Sequence, residues 1–201
     1  LNYKKIGFIG CGKISYYHAD VLLSLGCEIV SVSARKNSLN LTKFCEKYSI
    51  PSSFESWEKM IEKVDINAIV LVASWDSIDD IVIPLLKYNI PCFIEKPICL
   101  SSLKAKKIKK LVDNSKTHIQ VGYNRRFYDF TPQIKDYIDN HNIRSIIVEI
   151  PENNNKYNRD LGKHLWINNS SHVLDLINYF IGNFKIKYKH MNLIDGGNIY
   201  T

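Results

Sequence analysis

Over the first 120 residues, short runs of consecutive apolar positions alternate with longer segments in which apolar residues recur every three or four positions. The runs at 4–9, 28–33, 68–72, 91–94 and 118–121 have strand length and are rich in Ile and Val. Between them, 16–25, 39–48, 56–62, 78–88 and 102–114 carry the helical period. Continuously apolar strands separated by helices mark parallel βαβ units, whose sheet is covered on both faces. The reading is an α/β chain in which residues 1–121 form a doubly wound parallel sheet.

After Gly122 the pattern changes. A polar link through Arg126 leads to a helix at 132–141 and a strand at 144–150 rich in β-branched residues. Residues 151–163 are rich in Asn and charge, which reads as an exposed loop. Ser170 and Ser171 then offer an N-cap, apolar positions recur to Ile181, and Gly182 supplies a stop, so a helix is expected at 171–181. Residues 122–201 are thus read as the start of a second, α+β domain.

Composition narrows the function classes. Of 201 residues, 45% are hydrophobic and 23% charged, ordinary for a chain with a buried core. The longest apolar runs, 68–73 and 81–86, fall far short of the roughly 20 residues of a membrane-crossing helix. The start of the chain lacks the basic, apolar and small-residue sections of a secretory signal, so a cytoplasmic setting is expected. Cys11, Cys27, Cys45, Cys92 and Cys99 form no metal-type pair and lie in or beside apolar stretches, so neither disulfides nor a metal site is expected. The net charge of +7 fits nucleic acid, anionic lipid or a phosphorylated ligand equally well. Lys104, Lys106, Lys107, Lys109 and Lys110 share one helix without interleaved aromatics, which reads as a solvated face and not as a single-strand-binding surface.

The chemistry concentrates where strands end. The first βα turn reads Gly10-Cys11-Gly12-Lys13-Ile14-Ser15. Gly10 permits a tight turn, Gly12 lets backbone approach a pyrophosphate, and the helix that follows directs free amides and its positive end at that anion. Ser15 stands where the third glycine of GxGxxG would allow close helix packing, and it is small enough to serve. Gly10, Gly12, Lys13 and Ile14 are therefore candidate dinucleotide contacts on a Rossmann-type fold. The second strand ends Ser33-Ala34-Arg35-Lys36, without the carboxylate that usually holds the ribose 2'-hydroxyl of NAD. Ser33 can donate to a 2'-phosphate, Ala34 leaves room for it, and Arg35 and Lys36 supply charge, which favours NADP while leaving NAD possible.

Strand-end motifs further along carry a resemblance. Glu95-Lys96-Pro97 follows one strand, Gly122-Tyr123-Asn124-Arg125-Arg126-Phe127 the next, and Ser171-His172-Val173-Leu174-Asp175 opens the late helix. With GCGKIS and His18, these resemble the glucose-fructose oxidoreductase, inositol dehydrogenase and MocA (Gfo/Idh/MocA) family, in order and spacing, over nearly the whole chain. The run after the second strand looks most like the NADP-preferring dihydrodiol dehydrogenase branch. The resemblance implies a cofactor lying also against Ser74, Trp75, Glu95, Lys96, Pro97 and Arg126, with a peptide before Pro97 that is often cis. It implies three catalytic positions, Lys96, His172 and Asn168. Independently of the family, an ammonium at a strand's C-terminal end can bond a reacting oxygen and exchange its proton. In the family an aspartate stands where this chain has Asn168, and an amide positions a hydroxyl but cannot take its proton. Ser74-Trp75-Asp76 and Asp79 also replace a Thr-Pro-Asn run and a following His. The family's second domain is an open mixed sheet that mediates oligomers and needs some hundred residues more than follow Gly122 here. The substrate domain is therefore expected to be incomplete, as a fragment or with its site completed by a partner.

The expected activity is NADP-favouring hydride transfer to or from a hydroxyl or carbonyl carbon of a sugar, polyol or sugar-nucleotide-like substrate, in a homo-oligomer without nucleic-acid or membrane partners. The alternative is a non-catalytic NADP(H)-binding sensor or partner protein.

Overall fold

The buried apolar runs find their partners in one sheet. In the computed structural model, which describes residues 4–115, 117–150, 170–185, 187–188, 191–194 and 197–200, the strands β1 (Lys5–Ile9), β2 (Glu28–Ser33), β3 (Ser53–Phe54), β4 (Ala68–Leu71), β5 (Cys92–Ile94) and β6 (Ile119–Val121) lie in the order β3-β2-β1-β4-β5-β6. Every pairing in this sheet is parallel. The order reverses at β1, where Ile9 sits between Ser33 of β2 and Leu71 of β4. That reversal opens a crevice above the carboxyl ends of the strands, the place where such sheets take ligands.

Helices cover both faces. On one, α1 (Lys13–Ser24) and α2 (Leu39–Tyr48) bury Ala19 and Phe44 against Ile6, Phe8, Ile29 and Val32. On the other, α3 (Trp57–Lys63), α4 (Trp75–Leu86) and α5 (Ser102–Asp113) bury Met60, Val82, Leu85 and Ile108 against Ile69, Leu71 and Ile94. Each of these side chains larger than Ala19 contributes about 1.5–3 kcal/mol by leaving water. This is why strands flanked on both sides read as largely apolar runs. The expected doubly wound Rossmann sheet is what forms.

Two helices begin a turn earlier than their apolar period. Helix α1 starts at Lys13 because Gly12 takes the N-cap, and α4 starts at Trp75 because Ser74 does. The two-residue β3 escapes a reading based on apolar runs, since it is held by only the Val32↔Ser53 and Ser33↔Phe54 pairings to its neighbour.

The chain divides into two compact units, Leu1–Gly122 and Tyr123–Thr201. In the second, a 3-10 turn (Asn124–Phe127) leads to α6 (Thr131–Asn140), while α7 (Ser171–Ile181) ends at Gly182, whose φ is +74°. Strands β7 (Met191–Ile194) and β8 (Gly197–Tyr200) form an antiparallel pair. The strand expected at 144–150 is not present: those residues are described and pair with no strand among the described residues. Ile143, Ile146 and Val148, all exposed, instead line an apolar cavity with residues of α6 and α7. The expected loop at 151–163 lies outside the described residues. No helix among the described residues is long and apolar enough to cross a membrane.

Candidate active site

The turn after β1 is fixed by its own backbone. Gly10 has φ +100°, and its N–H donates to the Ser33 carbonyl at 2.8 Å. A Cβ there would stand 2.3 Å from the Val72 carbonyl oxygen, so only glycine fits. Gly12 is different. It caps α1 with φ −75°, which any residue adopts, and a Cβ on it would meet nothing within 4 Å. Its bareness therefore serves open space beside the chain and not the fold. No side chain caps α1 and no acid lies in its first turn, so the positive end of the helix is left for a ligand. Ser15 does more than fit beneath this turn: fully buried, it donates from Oγ to the Gly10 carbonyl at 3.1 Å and pins the elbow.

Beside the turn lies a cavity of ≈ 380 Å³ above the strand ends. Gly10, Gly12, Lys13, Ile14, Ser33, Arg35 and Ser74 all line it, bringing together seven of the residues expected from sequence. Ser33 is 2% exposed, and its Oγ finds no hydrogen-bond partner among the described residues. A buried hydroxyl without a partner is uncommon, and here it faces a cavity in which a ligand oxygen can supply one. The site thus fits a dinucleotide in two ways: an unscreened helix start beside a bare glycine, and an orphaned hydroxyl at the end of β2.

The rim around Ser33 is charged. Arg35 Nη1 stands 3.9 Å from Asp76 Oδ2, with the Arg35 side chain 76% exposed. The Ser74 hydroxyl bonds the Asp76 carboxylate and, aided by Ser77 at 3.1 Å and the Arg35 charge, holds that carboxyl below the usual carboxylate range against the opposing effect of burial. Lys36 is exposed and Trp75 begins α4; neither lines the cavity. The sequence reading missed Ser38, Asn40, Glu55, Trp57 and Ser77, which do line it. The first four follow β2 and β3 without any motif.

At the end of β5 the Glu95-Lys96-Pro97 segment is held from two sides. The Glu95 amide donates to the Leu71 carbonyl at 2.9 Å. Its carboxylate meets His18 Nε2 at 2.8 Å through Oε1 and accepts the Lys96 N–H at 3.2 Å through Oε2. The Lys96–Pro97 peptide is cis, as the resemblance implied, and Pro97 is buried. Asp79, which departs from the family pattern, acts locally. It accepts the Leu100 amide at 3.0 Å and pairs with Lys104 at 2.9 Å, tethering the segment after Pro97 to α4 and α5. Glu95, Lys96 and Pro97 do not line the cavity at the glycine turn. Lys96 stands just past the carboxyl end of β5.

In the second unit, Arg126 donates from Nε to Asp175 Oδ2 at 2.7 Å and from Nη2 to Oδ1, and its guanidinium lies 5.4 Å from the Tyr179 ring centroid. Asp175, 10% exposed, pushes the Arg126 pKa up. Arg126 is thus committed to a fork within its own unit. His172 opens α7 with its ring edge-on to Tyr123 at 6.0 Å. Asn168 lies outside the described residues. Among the described residues no group of His, Cys, Asp and Glu could hold a metal ion.

The strand order, the glycine elbow and the cavity at the switch point define a dinucleotide-binding domain of the Rossmann class. The profile of the Gfo/Idh/MocA family, described as an oxidoreductase family with an NAD-binding Rossmann fold, matches residues 4–123, and the chain belongs to that family. It is similar to a myo-inositol 2-dehydrogenase of Thermotoga maritima, 24% identical over 136 residues that cover 68% of this chain and 41% of that protein. It is also similar to a scyllo-inositol 2-dehydrogenase (NAD(+)) of Bacillus subtilis, 26% identical over 190 residues, 87% of this chain and 53% of the other. Among solved structures, the WlbA dehydrogenase of Bordetella pertussis in complex with NADH and UDP-GlcNAcA superimposes with a TM-score of 0.77 at 20% identity, covering 93% of this chain and 60% of that one, a likeness of fold. The chain spans about half the length of the curated relatives it matches.

Proposed function

We propose that the chain is the cofactor-binding part of an oxidoreductase that moves a hydride between a nicotinamide dinucleotide and a hydroxyl or carbonyl carbon of a sugar, polyol or sugar-nucleotide-like substrate. One observation carries this reading: a cavity whose wall combines a bare Gly12, an uncapped α1 and the orphaned Ser33 hydroxyl. The names of the curated relatives support a cyclic polyol as substrate.

The amides at the start of α1 hold the pyrophosphate, with Lys13 beside them. At the end of β2, Ser33, Ala34 and Arg35 favour a 2'-phosphate, and the finer reading is a preference for NADP. When bound, the nicotinamide supplies the hydride-accepting and hydride-donating carbon. Lys96 handles the proton: as an amine it takes the proton of a hydroxyl being oxidised, and as an ammonium it donates to a carbonyl being reduced. Glu95 sets the backbone of that lysine. From the resemblance, His172 and Asn168 of the second unit orient the substrate hydroxyl, and the enzyme works as a homo-oligomer.

The test is a titration of NADPH and NADH by cofactor fluorescence, followed by a panel of inositols, sugars and sugar nucleotides with the tighter cofactor. The expected result is NADPH binding tighter than NADH binding, and turnover on a cyclic polyol. Binding without turnover across the panel points to the non-catalytic sensor, and NADPH binding equal to or weaker than that of NADH overturns the reading of Arg35.

A further inference from the structure

The cavity continues outward past the end of β2. There Glu55 and Trp57 leave β3 on either side of Ser56, the N-cap of α3. The Ser56 hydroxyl accepts the Lys59 amide at 3.2 Å and donates to the Glu58 carboxylate at 2.6 Å. This cap fixes the bend, and both flanking residues line the cavity. Glu58 is engaged by the cap and Asp76 by Ser74 and Ser77. Glu55 is the carboxylate that lines the cavity and makes no hydrogen bond or ion pair with the described residues.

Trp57 is braced from behind. Its ring meets Tyr88 at 5.7 Å and 78°, and it packs against the core shared by α3, α4 and α5. Ile81 of α4 lines the same cavity. An apolar slot with an acceptor-only group at its edge suits a flat heterocycle that carries a donor there. Strand β3 is the outermost of the sheet, on the far side of β2 from the glycine turn. In a dinucleotide the base lies beyond the ribose in that same sense.

We propose that Glu55 reads the exocyclic amine of the adenine ring, seated in the slot that Trp57 and Ile81 form. This rests on the dinucleotide reading above. The carboxylate accepts from the amine N–H and repels a base that presents a carbonyl oxygen in its place. A glutamine at the same position accepts from one and donates to the other.

The experiment compares NAD with nicotinamide hypoxanthine dinucleotide, which differs at that group, by calorimetric titration of the wild type and Glu55→Gln. Because Glu55 is exposed, the variant keeps the wild-type melting temperature. The wild type is expected to bind NAD about ten- to a hundredfold more tightly than the hypoxanthine analogue, the range of a hydrogen bond to a charged group. In Glu55→Gln that ratio falls to about threefold or less. An unchanged ratio, or a wild-type ratio near one, overturns the assignment. So does a variant that alters the NAD to NADP ratio instead, which would place Glu55 at the ribose. If neither dinucleotide binds the wild type, the dinucleotide reading fails and this one with it.

Discussion

His18 Nε2 lies 2.8 Å from Glu95 Oε1, joining the first helix of the sheet to the end of its fifth strand across 77 positions. The same carboxylate takes the amide of Lys96 on its other oxygen. If Lys96 carries the proton as proposed, His18 acts on it through Glu95, as a positioning residue. His18→Ala is expected to lower kcat about tenfold, since a loosened group loses part of its orientation. Cofactor Kd should stay within about twofold, because His18 does not line the cavity at the glycine turn. Equal losses in Kd and kcat would point to a merely structural pair.

Lys96→Ala removes the proposed proton carrier while leaving the glycine elbow and the β2 rim in place. Turnover is expected to fall by about 10²–10⁴-fold, the usual worth of a positioned acid or base, with NADPH affinity within a few fold. Steady-state kinetics paired with fluorescence titration separates the two. Unimpaired turnover refutes the role.

Asp76 gives a pH signature. Its carboxyl is held below the usual range in the folded chain, chiefly by the Ser74 hydroxyl. A depressed folded value stabilises the fold above the unfolded value, about pH 4, and that contribution is lost as pH falls through the folded value. The difference in urea midpoint between wild type and Asp76→Asn is therefore expected to be constant from pH 7 to about 5 and to shrink as pH falls below about 4. A gap that does not change with pH contradicts the account.

Gly10→Ala places a Cβ against the Val72 carbonyl at φ +100°. The clash is with backbone, which cannot step aside. A loss of at least about 3 kcal/mol in unfolding free energy is expected, read by urea denaturation. A loss under about 1 kcal/mol would mean that the turn has another conformation at similar energy.

Much of this was legible in the sequence for identifiable reasons. Strands β4 and β5 are covered on both faces and appear as unbroken apolar runs, while β1 after Lys5 and β2, through Ile29, Val30 and Val32, are apolar enough to read as strands. The glycine turn was legible because its residue types answer to backbone sterics and to an anion, both local. The strand at 144–150 misled because β-branched residues fit a ladder only where a partner strand is present, and Ile146 and Val148, both exposed, line a cavity beside α6 and α7 instead. The antiparallel β7–β8 pair did carry a signal in the sequence, an Asp-Gly dipeptide between two short segments that contain Leu, Ile and Tyr. Glu55, Trp57 and the His18–Glu95 contact carried none. They come together only through the order of strands, and no spacing along the chain encodes which strand end a residue will face.

The most direct test uses the contrast between the two glycines of the elbow. Gly12→Asn keeps a residue favoured at a helix N-cap, and its side chain enters space where a Cβ meets no protein atom within 4 Å. Titration of NADPH against wild type and variant, with melting temperatures measured alongside, decides the matter. The account predicts equal melting temperatures and an affinity reduced by more than about tenfold, or 1.4 kcal/mol. Undiminished NADPH binding by Gly12→Asn would contradict it.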